Sequence, residues 1–198
     1  MQTPTLEEML QAGVHFGHKT SRWHPNMEPY IFCERSGVHV IDLERTQKQL
    51  EDILPKIKAM AAEGKKILYV GTKKQGQQII KKHAQEAGMP YMVERWIGGL
   101  LTNFAEISRL IKKFNTLLEE QKVGEWEKFT KKEQLDKKRE LEKLTPLLEG
   151  IVSLDSLPDA LFVADMRREK TALTEAIRKE ILVIGICDTN ANPERATY

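Results

Sequence analysis

Apolar residues recur along this chain in two rhythms. Ile67-Leu68-Tyr69-Val70, Tyr91-Met92-Val93, Ala160–Ala164 and Leu182–Cys187 are short unbroken runs. That length and composition suit strands buried on both faces. From Leu43 to Ala61 the apolar positions 43, 50, 53, 54, 57, 60 and 61 recur at helical spacing, and Glu169 to Lys179 reads as a further helix. Strand, helix and strand in alternation predict a mainly parallel sheet covered on both faces. Tyr30–Cys33 and Val38–Ile41 flank Ser36-Gly37 and read as two strands joined by a turn.

The punctuation sharpens the boundaries. Thr5 with Glu8 and Thr130 with Glu133 are capping boxes, and Asn103 with Glu106 is a further N-cap pair. Thr72 with Gln75 is expected to cap the helix after the Ile67–Val70 strand. Gly13 and Gly64 stop helices, and Pro55 predicts a kink or a late helix start. Gly13 to Phe32 and Arg95 to Gly99 are rich in glycine or proline and read as loops.

Between Phe104 and Gly150 the pattern changes. Ile107, Leu110, Ile111, Phe114, Leu117 and Leu118 form one narrow apolar stripe among charges. Gly124 breaks it, and Leu141, Leu144 and Leu148 resume it. This predicts an antiparallel helical hairpin of coiled-coil type, each arm roughly 30 Å long, projecting from the body. Packing flat against the core is the alternative. The expected organisation is an α/β unit over residues 1–103 and 150–198, with the hairpin inserted at 104–149.

Composition adds little to that picture. Of 198 residues 30% are charged, yet the net charge is only +2, so any nucleic-acid footprint must be local. The two cysteines, Cys33 and Cys187, lie in apolar runs without a CxxC pair, which suits buried thiols in a reducing cytosol. No run reaches membrane-spanning length, and the N-terminus lacks a basic-then-apolar signal pattern.

Local charge says more. Lys65 to Gln85 carries Lys65, Lys66, Lys73, Lys74, Lys81 and Lys82 and no acid. Lys73 and Lys74 fall in the turn after a strand, where open α/β sheets place their ligands, so the expected ligand is an anion. Gly71 and Gly76 have P-loop spacing, but Gln77 and Gln78 stand where Lys and Ser or Thr are needed. Nucleotide binding therefore fails on residue chemistry.

Asp42, Asp165 and Asp188 each end an apolar strand. Gathered at one rim they would make a magnesium site for phosphotransfer; separately, each would cap the next turn. His15, His18 and His24 are loosely spaced and lack the partners of a strong metal motif. The loop Lys19, Arg22, Trp23, His24 and the pair Arg95-Trp96 combine cations with an indole. Cations neutralise phosphates and an indole stacks on bases, so both loops are candidate RNA contacts. The alternative is that Trp23 and Trp96 plug the loops onto the sheet.

GVHFGHKTSRWHPNMEPYIF at 13–32, GVHVIDLERT at 37–46, VGTKKQG at 70–76, ERWIGGLLTNF at 94–104, LPDALFVAD at 157–165 and ICDTNANP at 186–193 follow one another in order. Together they resemble the bacterial-type ribosomal small-subunit protein two family across nearly the whole chain. The resemblance implies a flavodoxin-like, doubly wound α/β domain with a helical hairpin between the LTNF and PDALF blocks. It implies a structural, non-enzymatic role in the cytoplasmic ribosome, with no cofactor. The implied partners are 16S ribosomal RNA and neighbouring ribosomal proteins, including the mRNA-gathering protein one. By position, RNA contact falls on Lys19, Arg22, Trp23, His24, Arg95 and Trp96, and the strand-end reading adds Lys73 and Lys74. Family members continue beyond the DTN-x-x-P block with a short segment and a helix, whereas this chain stops at Tyr198. A bare sheet flank and readier aggregation than in a chain carrying that helix are expected.

Overall fold

In chain order the elements are α1 (Leu6–Gln11), β1 (Phe16–Lys19), β2 (Ile31–Arg35), β3 (Val38–Ile41), α2 (Leu43–Ala62), β4 (Ile67–Val70) and α3 (Gln77–Glu86). There follow β5 (Tyr91–Met92), α4 (Phe104–Lys122), α5 (Lys131–Leu148), β6 (Ala160–Val163), α6 (Lys170–Arg178) and β7 (Leu182–Gly185). The computed structural model describes residues 3–198.

The main sheet has four strands in the order β5-β4-β6-β7, and every pairing is parallel. Starting next to the middle, stepping outward one way and then back the other is the flavodoxin-type winding. Successive side chains point to opposite faces, and the core divides accordingly. Ile67, Tyr69, Ala160 and Phe162 face one layer, with Ile53, Ile57 and Met60 of α2. Ile80 and Ala84 of α3 pack on that side against Tyr69 and Ala164. Leu68, Val70, Leu161, Val163 and Val183 face the other layer, with Phe114 of α4, Leu148 of α5 and Leu173 of α6. The sheet is thus covered on both faces. Fully buried leucines such as Leu68, Leu161 and Leu173 each contribute about 1.5–3 kcal/mol.

α4 and α5 lie side by side and run in opposite directions. Lys113 Nζ donates to Glu140 at 2.5 Å and Lys137 Nζ to Glu120 at 2.6 Å, so moving forward along α4 means moving back along α5. Gly124, at φ 75°, ends the approach to their connection, and the Thr130–Glu133 capping box opens α5. Ile107, Ile111, Phe114, Leu117, Leu141 and Leu148 belong to the same buried cluster as the sheet residues Leu68 and Leu161.

The two strands read around Ser36-Gly37 form outside the parallel sheet, with a third beside them. β1, β3 and β2 form a separate three-stranded antiparallel sheet. Ser36 and Gly37 both have positive φ, 53° and 75°, the backbone a tight two-residue hairpin turn requires. Gly13 to Phe32 is therefore more than a loop: it contains β1 and short 3₁₀ turns. Cys33 is exposed rather than buried, because β2 is an edge strand whose residues Phe32 to Arg35 all face solvent. Cys187 is half-buried, and burial pushes its thiol up to about 11.

Pro55 does not delay or break α2, which runs from Leu43 to Ala62. Pro55 and Glu51 are both exposed, so water can take the carbonyl that loses its intrahelical donor. Asn103 precedes α4 without a side-chain cap bond, and Glu106 pairs with Arg109 instead. The outer edge of β7, expected to be bare, is partly paired. Thr197 and Tyr198 N–H groups donate to the Val183 carbonyl, and Gly185 N–H donates to the Tyr198 carbonyl.

Candidate nucleic-acid interface

The C-terminal ends of β4, β5, β6 and β7 form one rim. Gly71 begins the turn after β4, and a Cβ there would lie 2.0 Å from Ile80 Cδ1, so a larger residue would have to push the Ile80 side chain of α3 aside. Thr72 is buried and does not cap α3. Its N–H and hydroxyl both donate to Glu169 Oε1, at 2.9 and 2.7 Å. With the hydroxyl committed across the sheet, the chain makes one more turn through Lys73 and α3 begins at Gln77 behind Gly76, which has no side chain to cap with. Arg168 Nε donates to Thr72 Oγ1 at 2.9 Å. The crevice between β4 and β6, where such folds bind nucleotides, is therefore closed by Glu169 and Arg168.

Lys73 and Lys74 remain exposed on this rim. Lys73 Nζ lies 3.7 Å from Asp165; among the described residues Lys74 is in no ion pair. Asp165 itself accepts from the N–H groups of Arg167 and Arg168, at 3.1 and 3.0 Å, and so shapes the turn after β6.

The first basic segment docks on the end of β7. His18 N–H donates to the Thr189 hydroxyl and His24 N–H to the Thr189 carbonyl, each at 2.8 Å. His18 Nδ1 lies 2.9 Å from Asp188 Oδ2. Gly17 allows this approach, since a Cβ there would meet Thr189 Cγ2 at 2.6 Å. Lys19, Arg22 and Trp23 are thereby held exposed, with His24 half-buried, at the β7 end of the rim. The Trp23 ring sits 5.2 Å from that of His39, tilted by 43°, and keeps 37% of its surface free.

Arg95 is exposed just beyond β5, but its neighbour Trp96 is not. Trp96 is buried, and its Nε1–H donates to Glu175 Oε1 at 3.0 Å. Glu175 also accepts from the N–H groups of Gly99, Leu101 and Thr102 and from the Thr102 hydroxyl. Burial pushes the Glu175 carboxyl up, but the bonds from Trp96, Gly99, Thr102 and Leu101 outweigh it and hold the pKa below the ordinary value. Trp96 is thus the plug that fixes the loop to α6, and its face is not offered to a base. Arg95 keeps the candidate role.

Asp42, Asp165 and Asp188 do not gather. Asp42 ends a strand of the small sheet and caps α2, accepting from Arg45 N–H at 3.2 Å. Asp188 accepts from Thr189 N–H at 2.6 Å. Each shapes its own turn, and among the described residues no three His, Cys, Asp or Glu side chains converge to hold a metal. This removes the basis of a magnesium phosphotransfer site.

Arg167, Arg168, Lys170 and Arg195 stand at the same rim; no sequence motif singles them out, although Arg167 and Arg168 follow a strand end as Lys73 and Lys74 do. Arg195 comes beside them only through the fold, Arg167 Nη1 reaching the Asn190 carbonyl at 3.2 Å and Arg195 Nη2 the Thr174 hydroxyl at 2.8 Å.

Residues 9–198 match the family pattern described as Ribosomal protein S2. The small ribosomal subunit protein uS2 of Coprothermobacter proteolyticus is 46% identical over 198 residues, covering 100% of this chain and 74% of the relative. That of Chlorobaculum tepidum is 47% identical over 193 residues, covering 98% and 78%. That of Salinibacter ruber is 46% identical over 194 residues, covering 98% and 61%. With the family pattern spanning nearly every residue and such identities sustained along the chain, this protein belongs to the ribosomal protein S2 family.

Proposed function

We propose that this chain, a structural protein of the small ribosomal subunit, binds 16S ribosomal RNA through the C-terminal rim of its parallel sheet. The observation that carries this reading is the convergence of exposed cations there. Lys73 and Lys74 stand at the end of β4, Arg95 at the end of β5, and Arg167 and Arg168 at the end of β6. Lys19 and Arg22 are brought beside them by the bonds to Thr189. The rim lies flat on phosphates, and the half-exposed Trp23 offers a stacking face beside them. The helices of residues 104–149 supply a second contact arm. Neighbouring ribosomal proteins, including the mRNA-gathering protein one, are further partners. The free edge strand β2, with Phe32 73% exposed, is a surface suited to a protein neighbour.

The test is co-sedimentation of the purified chain with small subunits lacking this protein, across a salt series. Binding is expected to fall steeply as salt rises, about tenfold or more between roughly 50 and 200 mM, because each neutralised phosphate releases counterions. Binding unchanged by salt would reject a phosphate-facing rim.

A further inference from the structure

Two cavities on this molecule differ in the sign of their walls. The larger, about 370 Å³, lies between α3 and α5 and is lined by Glu94, Glu142 and Glu149. Lys81, the one cation among the described residues that line it, is bound to Glu149. That cavity repels anions. The smaller, about 230 Å³, opens between the ends of β6 and β7, the first basic segment and the start of α6. Its polar lining is His24, Arg167, Lys170, Asn190, Asn192 and Arg195, over a floor that includes Met166 and Leu173, with no carboxylate among the described residues that line it.

The cationic side chains of this cleft, Arg167, Lys170 and Arg195, have no direct acidic partner among the described residues. Arg167 and Arg195 are instead oriented by neutral acceptors, the Asn190 carbonyl and the Thr174 hydroxyl. Lys170 is the first residue of α6, where the helix dipole favours an anion and disfavours a cation. The nearest carboxylates are engaged elsewhere, Glu169 with Thr72 and Asp165 with the N–H groups of Arg167 and Arg168, so the three cationic side chains are left to an incoming negative group.

The neutral groups point to a donor-rich site as well. Asn26 N–H donates to His24 Nδ1 at 3.3 Å, so the neutral ring carries its proton on Nε2. Asn192 Oδ1 accepts from Glu194 N–H at 3.1 Å and from Asn26 Nδ2 at 3.3 Å. Its own amide hydrogens have no acceptor among the described residues. What would complete the cleft is a compact anion that accepts several hydrogen bonds at once.

We propose that this cleft seats one phosphate of the RNA backbone, and so sets the position of the rim on its RNA. The proposal rests on the RNA-binding reading above and adds to it a particular seat, beyond the general attraction of the exposed lysines.

The experiment compares salt series for the full chain binding small subunits lacking this protein. The cleft variant is Lys170→Gln/Arg195→Gln. The control is Lys48→Gln/Lys58→Gln, which removes the same charge from exposed positions on α2. The cleft variant is expected to bind about tenfold more weakly than the control, with a slope of log affinity against log salt shallower by about 0.7–0.9. Lys170→Arg/Arg195→Lys keeps both charges and is expected to retain the wild-type slope. Lys170→Gln alone changes one exposed side chain, and it reads the same slope should the double variant melt early. If the cleft variants and the control give the same slope while wild type binds steeply, the seat is overturned and the RNA reading stands. If wild type binds with no salt dependence, both fall together.

Discussion

The Glu175 carboxylate takes hydrogen bonds from Trp96 Nε1, Gly99 N–H, Leu101 N–H and Thr102 at once. A buried carboxylate is tolerated only when so well supplied. Its depressed pKa makes a signed prediction. The stabilisation is fully present above the unfolded glutamate value of about 4.3. It is lost as pH falls from there through the lower folded value, because the unfolded chain then binds the proton first. Thermal melts of wild type below about pH 5 should therefore drop more steeply than those of Glu175→Gln, which cannot titrate. At neutral pH Glu175→Ala leaves Trp96 Nε1 and Leu101 N–H unpaired in the core and should cost about 3 kcal/mol, roughly 6–12 °C in Tm for a chain of this size. Identical pH profiles for wild type and Glu175→Gln would show that the carboxylate contributes no such linkage. The cation-and-indole pattern at Arg95-Trp96 did not distinguish an offered ring from a buried one. The deciding partner lies on α6, far away in sequence. Cys33 misled for a similar reason: its apolar neighbours gave no sign that β2 would be an edge.

Elements were legible where a signal was local and failed where a partner was distant. The Thr5 and Thr130 capping boxes form with both reciprocal bonds, since every atom they need lies within four residues. Thr72 has the same local grammar and does something else, because Glu169 competes for its hydroxyl. The parallel strands announced themselves as apolar runs, whereas β1 is short, mixed in polarity and paired to a strand beyond a turn. Its placement turns on Gly17, which no hydrophobic pattern singles out. An added methyl there would press on Thr189 Cγ2 and Oγ1 at 2.6 and 2.9 Å and on the His39 carbonyl at 3.0 Å. Gly17→Ala should therefore lift the segment from β7 and break the His18–Thr189 bond, costing about 1–3 kcal/mol. It should also weaken binding to small subunits although no charge is removed, because Lys19 and Arg22 lose their positions. Sedimentation at low salt beside a melting curve checks both. A variant that melts early but binds as wild type does would separate the segment's structural role from RNA contact.

For the whole molecule the useful quantity is the distribution of charge, since a net +2 is too small to hold an RNA by itself. Many lysines are spent inside the protein, as Lys113 is on Glu140 and Lys137 on Glu120. The exposed Lys113–Glu140 pair contributes little to stability, yet both pairs remove cations from the field that a nucleic acid meets. The turn after β4 contains one lysine of each sort. Lys73 stands 3.7 Å from Asp165, and Lys74, next to it, has no acidic partner among the described residues. Adjacency in sequence makes the two look equivalent; the sheet makes them different by bringing the end of β6 beside one of them. A phosphate approaching Lys73 must displace or repel Asp165, whereas one approaching Lys74 meets an unopposed charge. Lys74→Glu is therefore expected to reduce binding more than Lys73→Glu, and to lower the salt slope by about 1 if that lysine neutralises one phosphate. Lys73→Glu adds a second problem, since its new carboxylate faces Asp165 and raises the local repulsion. Its effect should appear partly as lost stability and fade when Asp165→Asn is combined with it. Lys74→Glu should show no such rescue. If both reversals leave affinity unchanged at low salt, this turn faces solvent in the assembled particle, and the contact surface must be carried by the β6 and β7 ends and by the segment docked upon them.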